Sequence, residues 1–112
     1  MPGYRIDRTA EDIKREITAI IRELKDPRIK GMLTVVNVKV SNDLSYGKVY
    51  ISAMEGFDVA KESVKGLNSA AGYVRREIGS RLHLRKSPEL TFIADNSVEH
   101  AIDIAKKLNE LK

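Results

Sequence analysis

The sequence predicts an α+β fold in which helices cover one face of a single small sheet. Three observations carry that expectation. Two stretches in the first half of the chain alternate apolar and polar residues with period two and meet at a turn. A third such stretch comes much later, beyond a proline. Around and between them, apolar residues recur at steps of three and four, the helical period. Elements of this kind bury their apolar sides together when the helices lie on one face of the sheet.

The first helix is marked by Ile13, Ile17, Ile20, Ile21 and Leu24, with charges between them. Thr9 with Asp12 three residues on reads as its N-cap. Asp26-Pro27 ends it, because the residue before a proline is pushed out of the α region. Val36, Val38 and Val40 then alternate with Asn37 and Lys39 as a half-buried strand. Ser41-Asn42-Asp43 supplies turn chemistry. A second strand places Val49, Ile51 and Ala53 on one face and Lys48, Tyr50 and Ser52 on the other, forming an antiparallel hairpin with the first.

Asp58 is placed to cap the next helix. Ala60, Val64, Leu67, Ala71, Val74 and Ile78 continue one helical phase straight through Gly72. A helix-interior glycine costs about 1 kcal/mol relative to alanine. Close packing on a neighbour would explain it, and so would a bend between two half-helices. From Arg81 to Arg85, alternation of Leu82 and Leu84 with charged and polar residues suits an extended stretch. After Pro88, Leu90, Phe92 and Ala94 mark the third strand. Asn96 and Glu99 would cap a closing helix that carries Ala101, Ala105, Leu108 and Leu111.

Composition removes several classes of function. The 112 residues suit one domain, 1–112, and 42% are apolar, enough for a core. There is no cysteine, hence no disulfide framework, thiolate metal site or cysteine nucleophile. With His83 and His100 as the two histidines, a multi-histidine metal centre is nearly excluded. No apolar run approaches a bilayer span, and no hydrophobic leader precedes the first helix, so a cytoplasmic location without membrane contact is expected. The net charge of +4 is uninformative until it is located. Arg75, Arg76, Arg81, Arg85 and Lys86 face Glu77 alone within residues 72–86, so this stretch carries +4 by itself. Four of the five are arginine, the side chain suited to bidentate phosphate contact. A solvated face with a chance cluster is the alternative.

No catalytic constellation is present. Phosphate-loop, dinucleotide-binding and zinc-protease patterns are missing. Asp43, Glu55 and Asp58 form the best carboxylate group, and a metal nuclease using Asp43 and Glu55 is the enzymatic reading to test. No cofactor and no small-molecule substrate are expected. Six aromatics, with Tyr73 alone inside the basic stretch, offer no paired stacking platform for single-stranded bases. This favours recognition of folded RNA through backbone and shape.

The element order is that of the type II KH topology, αββααβ, with a closing helix added. A KH domain clamps nucleic-acid backbone with a G-x-x-G loop between its central helices. No two glycines here stand three apart, and Ala70-Ala71-Gly72 occupies the place of that loop.

Several segments, in order and spacing, resemble the ribosome-binding factor A family. They are Asp26-Pro27-Arg28, Val38 to Leu44, Lys48 to Ser52, Ala70 to Arg76, Leu84 to Phe92, and Asp95-Asn96-Ser97. The resemblance extends over nearly the whole chain. It implies a KH-like fold in which the Ala-x-Gly of Ala70, Ala71 and Gly72 kinks the helix pair. It implies a small-subunit assembly factor, monomeric, that binds the free small (30S) ribosomal subunit and its 16S rRNA. Such a factor assists processing of the precursor rRNA 5′ end without catalysing it, and supports growth in the cold. By position, Arg5, Arg8, Arg28, Arg75, Arg76, Arg81, Arg85 and Lys86 become candidate RNA contacts. A KH-like protein acting on ribosomes during stress is the alternative. Some members of the family continue into a basic tail, whereas this chain ends at Lys112.

Overall fold

In a computed structural model, which describes residues 2–96, the elements are α1 (Pro2–Glu23), β1 (Leu33–Val40), β2 (Tyr46–Ala53), α2 (Phe57–Ser69), α3 (Ala71–Arg81) and β3 (Glu89–Ala94). The expected closing helix over residues 97–112, with His100, lies outside the described residues, as does the side chain of Arg5. The strands form one sheet in the order β1-β2-β3. β1 and β2 are antiparallel, and β2 and β3 are parallel. This is the predicted α+β architecture, and its order is consistent with the KH-like expectation.

α1 packs on β1, and α2 and α3 pack on β3. Ile13, Ile17 and Ile20 of α1 meet Leu67, Val74 and Ile78 of α2 and α3 above Val35, Val38, Val49, Ile51, Leu90 and Phe92 of the sheet. All twelve are buried. Burying a side chain such as Phe92 stabilises the fold by roughly 1.5–3 kcal/mol.

Five sequence expectations need correction. First, α1 begins at Pro2, so Thr9 is a helix-interior residue and no N-cap. The apolar phase reaches back through Ala10, which packs on the core, to Ile6. Second, α1 stops at Glu23, ahead of Asp26-Pro27. Asp26 instead forms a turn in which its Oδ1 accepts the Arg28 N–H at 2.8 Å. Third, β1 does not point Val36 inward. A bulge between Val35 and Asn37 switches the phase, so Val35 and Val38 are buried and Val36 is exposed. Fourth, Asp58 caps nothing. Gly56 is the N-cap of α2, and Asp58 pairs with Lys61 inside the first turn. Fifth, residues 82–86 are not extended. Leu82 is the C-cap of α3, and His83 takes φ +53°. The Leu84 N–H reaches the Gly79 carbonyl at 3.0 Å and the His83 N–H reaches Ser80 at 3.4 Å, a Schellman ending with histidine where glycine is usual.

The hairpin turn is as expected. The Ser41 hydroxyl accepts the N–H groups of Ser45 and Tyr46 and donates to Asp43 at 2.9 Å.

Candidate nucleic-acid interface

α3 buries Val74 and Ile78, one turn apart, and this phase leaves Arg75 and Arg76 exposed. Arg75 does more than face solvent. Its Nε donates to the Ser87 carbonyl at 2.9 Å, and the Ser87 hydroxyl donates back to the Arg75 carbonyl at 2.7 Å. This reciprocal pair fastens the loop over residues 82–88 to α3. The Schellman ending turns that loop back, so Leu84 packs on the core while Arg85 stays exposed. The Lys86 ammonium then donates to the Ser45 hydroxyl at 2.8 Å, joining the loop to the hairpin turn. Two segments, α3 and the hairpin turn, thus meet around one loop.

The adjacent Asp43 carboxylate is held down to about 2, by hydrogen bonds from Ser45 first, then Ser41, with the charge of Lys86 adding to them. None of Arg75, Arg76, Arg85 and Lys86 forms an ion pair among the described residues. The charge of the three arginines is therefore available to an external anion, while that of Lys86 is shared with the nearby Asp43 carboxylate.

Arg81 is placed differently. Its guanidinium reaches Glu23 at 2.9 Å, Glu77 at 3.2 Å and Glu16 at 3.7 Å, and its side chain is only 28% exposed. The hydrogen bond it donates to Glu23, and then the one it donates to Glu77, raises its pKa further. Arg81 ties α1 to α3, and three carboxylates cancel its charge. Arg28 pairs with Asp26 at 2.8 Å and donates to Ser69 Oγ at 3.1 Å. Arg8 is exposed on α1. Among the described residues, no hydrogen bond or ion pair links Arg8 or Arg28 to the loop-centred group.

Ala70 separates α2 from α3. This residue takes φ −94° and ψ 5° between α2 and α3. Gly72 is the second residue of α3, and a Cβ built there would meet nothing within 4 Å among the described residues. Close packing therefore does not explain Gly72. It explains Gly66, where a Cβ would lie 2.8 Å from Ile29 Cγ1.

Two cations were missed by the sequence reading. Lys39 and Lys48 stand directly opposite each other on β1 and β2, both exposed, and Lys39 lies 5.6 Å from the Tyr50 ring centroid. Like charges facing across strands repel, which an anion would relieve. Their alternation with Val38, Val40 and Val49 was visible in sequence, but the pairing needed the register.

The carboxylates do not converge. Asp43 and Glu55 lie beyond opposite ends of β2, whose eight residues span roughly 26 Å. Glu55 instead accepts the Met32 N–H with both oxygens at 3.0 Å, beside Gly31 at φ +84°, where a Cβ would collide with the carboxylate. Among the described residues no group of three His, Cys, Asp or Glu is placed to hold a metal ion. No described helix is long and apolar enough to cross a membrane.

Comparison with known proteins agrees with this architecture. A curated ribosome-binding factor A from Acetivibrio thermocellus is 50% identical over 107 residues, covering 95% of this chain and 87% of that protein. The solution structure of a Thermotoga maritima protein described as a putative ribosome binding factor A superposes with a TM-score of 0.74 at 33% identity, covering 87% of this chain and 92% of that one. A Thermus thermophilus ribosome binding factor A model, fitted into a cryo-electron microscopy map of a 30S complex with that factor, superposes with a TM-score of 0.60 at 30% identity, covering 73% and 86%. The family model for ribosome-binding factor A matches residues 5–108, and the chain belongs to that family.

Proposed function

We propose that this protein binds the RNA of the free small ribosomal subunit late in its maturation, and assists processing of the 16S rRNA 5′ end without cutting it. The observation that carries this reading is the loop-centred group of Arg75, Arg76, Arg85 and Lys86. It presents four cations, none of them in an ion pair among the described residues, on a scaffold whose relative was fitted into a 30S complex. Phosphates would displace condensed counterions on meeting these side chains, and that release drives association. Arg5, Arg8 and Arg28 would extend the contact, with Arg81 holding α3 in place. The open surface at Gly72 lets an RNA backbone approach α3 closely. The protein acts as a monomer in the cytoplasm.

Co-sedimentation with immature and mature small subunits tests the reading. Preferential binding to immature particles, lost in an Arg75→Glu/Arg76→Glu variant that still folds, supports it. Equal binding to both particles, or undiminished binding by the variant, would contradict it.

A further inference from the structure

Gly47, Val49 and Ile51 of β2 are buried on the helix side of the sheet, so Tyr46, Lys48 and Tyr50 stand on the opposite face. Tyr46 is 64% exposed. Lys48 lies between Lys39 of β1 and Thr91 of β3, all three exposed. Tyr46 lies beside Glu89 of β3, which is also exposed. The Lys39 ammonium rests 5.6 Å from the Tyr50 ring centroid, which keeps that cation next to Lys48.

The charges here are mixed, and their arrangement is specific. Lys39, Lys48 and Glu89 form no ion pair among the described residues. The nearby Asp43 carboxylate is committed to the turn by bonds from Ser41 and Ser45. Asp95 follows the far end of β3, roughly 20 Å along the strand from Glu89. An acidic peptide would meet the two lysines but set its charge against Glu89. A cationic ligand would suit Glu89 and be repelled by the lysines. A nucleotide satisfies every group: its base stacks on the Tyr46 ring, its phosphate relieves the Lys39–Lys48 repulsion, and an exocyclic amine donates to Glu89.

This face also joins the loop-centred cations. The Ser45 carbonyl accepts the Glu89 N–H at 2.9 Å, and the Ser45 hydroxyl accepts from Lys86 at 2.8 Å. A strand of RNA leaving Lys86 therefore meets Tyr46 next.

We propose that Tyr46, Glu89, Lys39 and Lys48 form a subsite for one unpaired nucleotide of RNA whose base carries an exocyclic amine. The subsite rests on the small-subunit reading for its natural RNA, while its binding chemistry is tested on its own.

The test uses the full chain, 15N-labelled, with oligocytidine and oligouridine of about six nucleotides at low salt. The two probes carry equal charge and differ in the amine that Glu89 would accept. The expected result is amide shifts at Lys39, Tyr46, Lys48 and Thr91, with oligocytidine the tighter ligand. Tyr46→Ala should weaken oligocytidine by about five-fold or more, whereas Tyr46→Phe should stay within about two-fold. Glu89→Ala should abolish the preference for cytidine. Lys48→Gln should weaken both probes alike. The Arg75→Glu/Arg76→Glu variant should keep the shifts around Tyr46, so loss of small-subunit binding in that variant and loss of this subsite are read separately. Equal affinity of the wild-type chain for the two probes, or undiminished binding by Tyr46→Ala, would overturn the proposal. So would shifts centred elsewhere, tighter binding of a valine–glutamate peptide at the same amides, or contacts from residues 97–112 to Tyr46 in the free protein.

Discussion

The Asn68 side chain serves both backbone groups of Phe92. Its Nδ2 donates to the Phe92 carbonyl at 3.0 Å, and its Oδ1 accepts the Phe92 N–H at 2.8 Å. In the parallel pair with β2, these groups face the outer edge of β3. A helix side chain thus stands where another strand would pair and blocks that edge. Asn68→Ala removes two neutral hydrogen bonds and should cost about 1–2 kcal/mol in urea unfolding. Faster hydrogen exchange at the Phe92 amide should accompany it. Unchanged exchange would mean the amide is protected by other means.

Gly66 and Gly72 should respond oppositely to alanine. At Gly66 the new methyl meets Ile29 at 2.8 Å, and overpacking of this kind costs about 1–3 kcal/mol. At Gly72 it meets nothing, and relief of the helix penalty should stabilise the fold by up to about 1 kcal/mol. Thermal unfolding of both variants checks the pair. Gly72→Leu should also fold, and on the proposed function it should lose subunit binding by obstructing the RNA.

His83 holds the left-handed position that ends α3. Glycine adopts this conformation without the Cβ penalty, so His83→Gly should gain up to about 1 kcal/mol, after the entropy glycine adds to the unfolded chain. A lower unfolding midpoint would show that the imidazole makes a contact that outweighs the strain.

Asp43 sets an acid limit on the hairpin turn. Its folded pKa of about 2 lies below the ordinary 3.8, so its contribution is complete above pH 4 and is lost as pH falls towards 2. Carboxyl chemical shifts followed by nuclear magnetic resonance should give a midpoint near 2 for Asp43. A midpoint near 4 would mean the Ser41 and Ser45 bonds do not persist in solution.

Much of this was legible in the sequence because each surface is built on a simple period. Val49 and Ile51, Leu90 and Phe92, and the run from Ala60 to Ile78 all point where their spacing says. What failed was local and non-periodic. The bulge at Val36 inverts a strand's phase, and no residue type announces it. Pro2 starts α1 inside a polar stretch where Ile6 is the one strong apolar mark. The turn at His83 defies the usual preference for glycine. At the candidate site the cluster was visible, but charge counting could not separate Arg81, held by Glu16, Glu23 and Glu77 from two helices, from the cations that remain available.

That separation is tested most directly by the salt dependence of binding to small-subunit RNA. Four phosphate contacts, from Arg75, Arg76, Arg85 and Lys86, give a slope of log affinity against log salt of roughly −3 to −3.5. Replacing Arg85 by alanine should make the slope shallower by about one contact's share. Arg81→Ala should lower the unfolding midpoint and leave the slope where it was. A slope near zero, or one that changes with Arg81 and not with Arg85, would contradict the account.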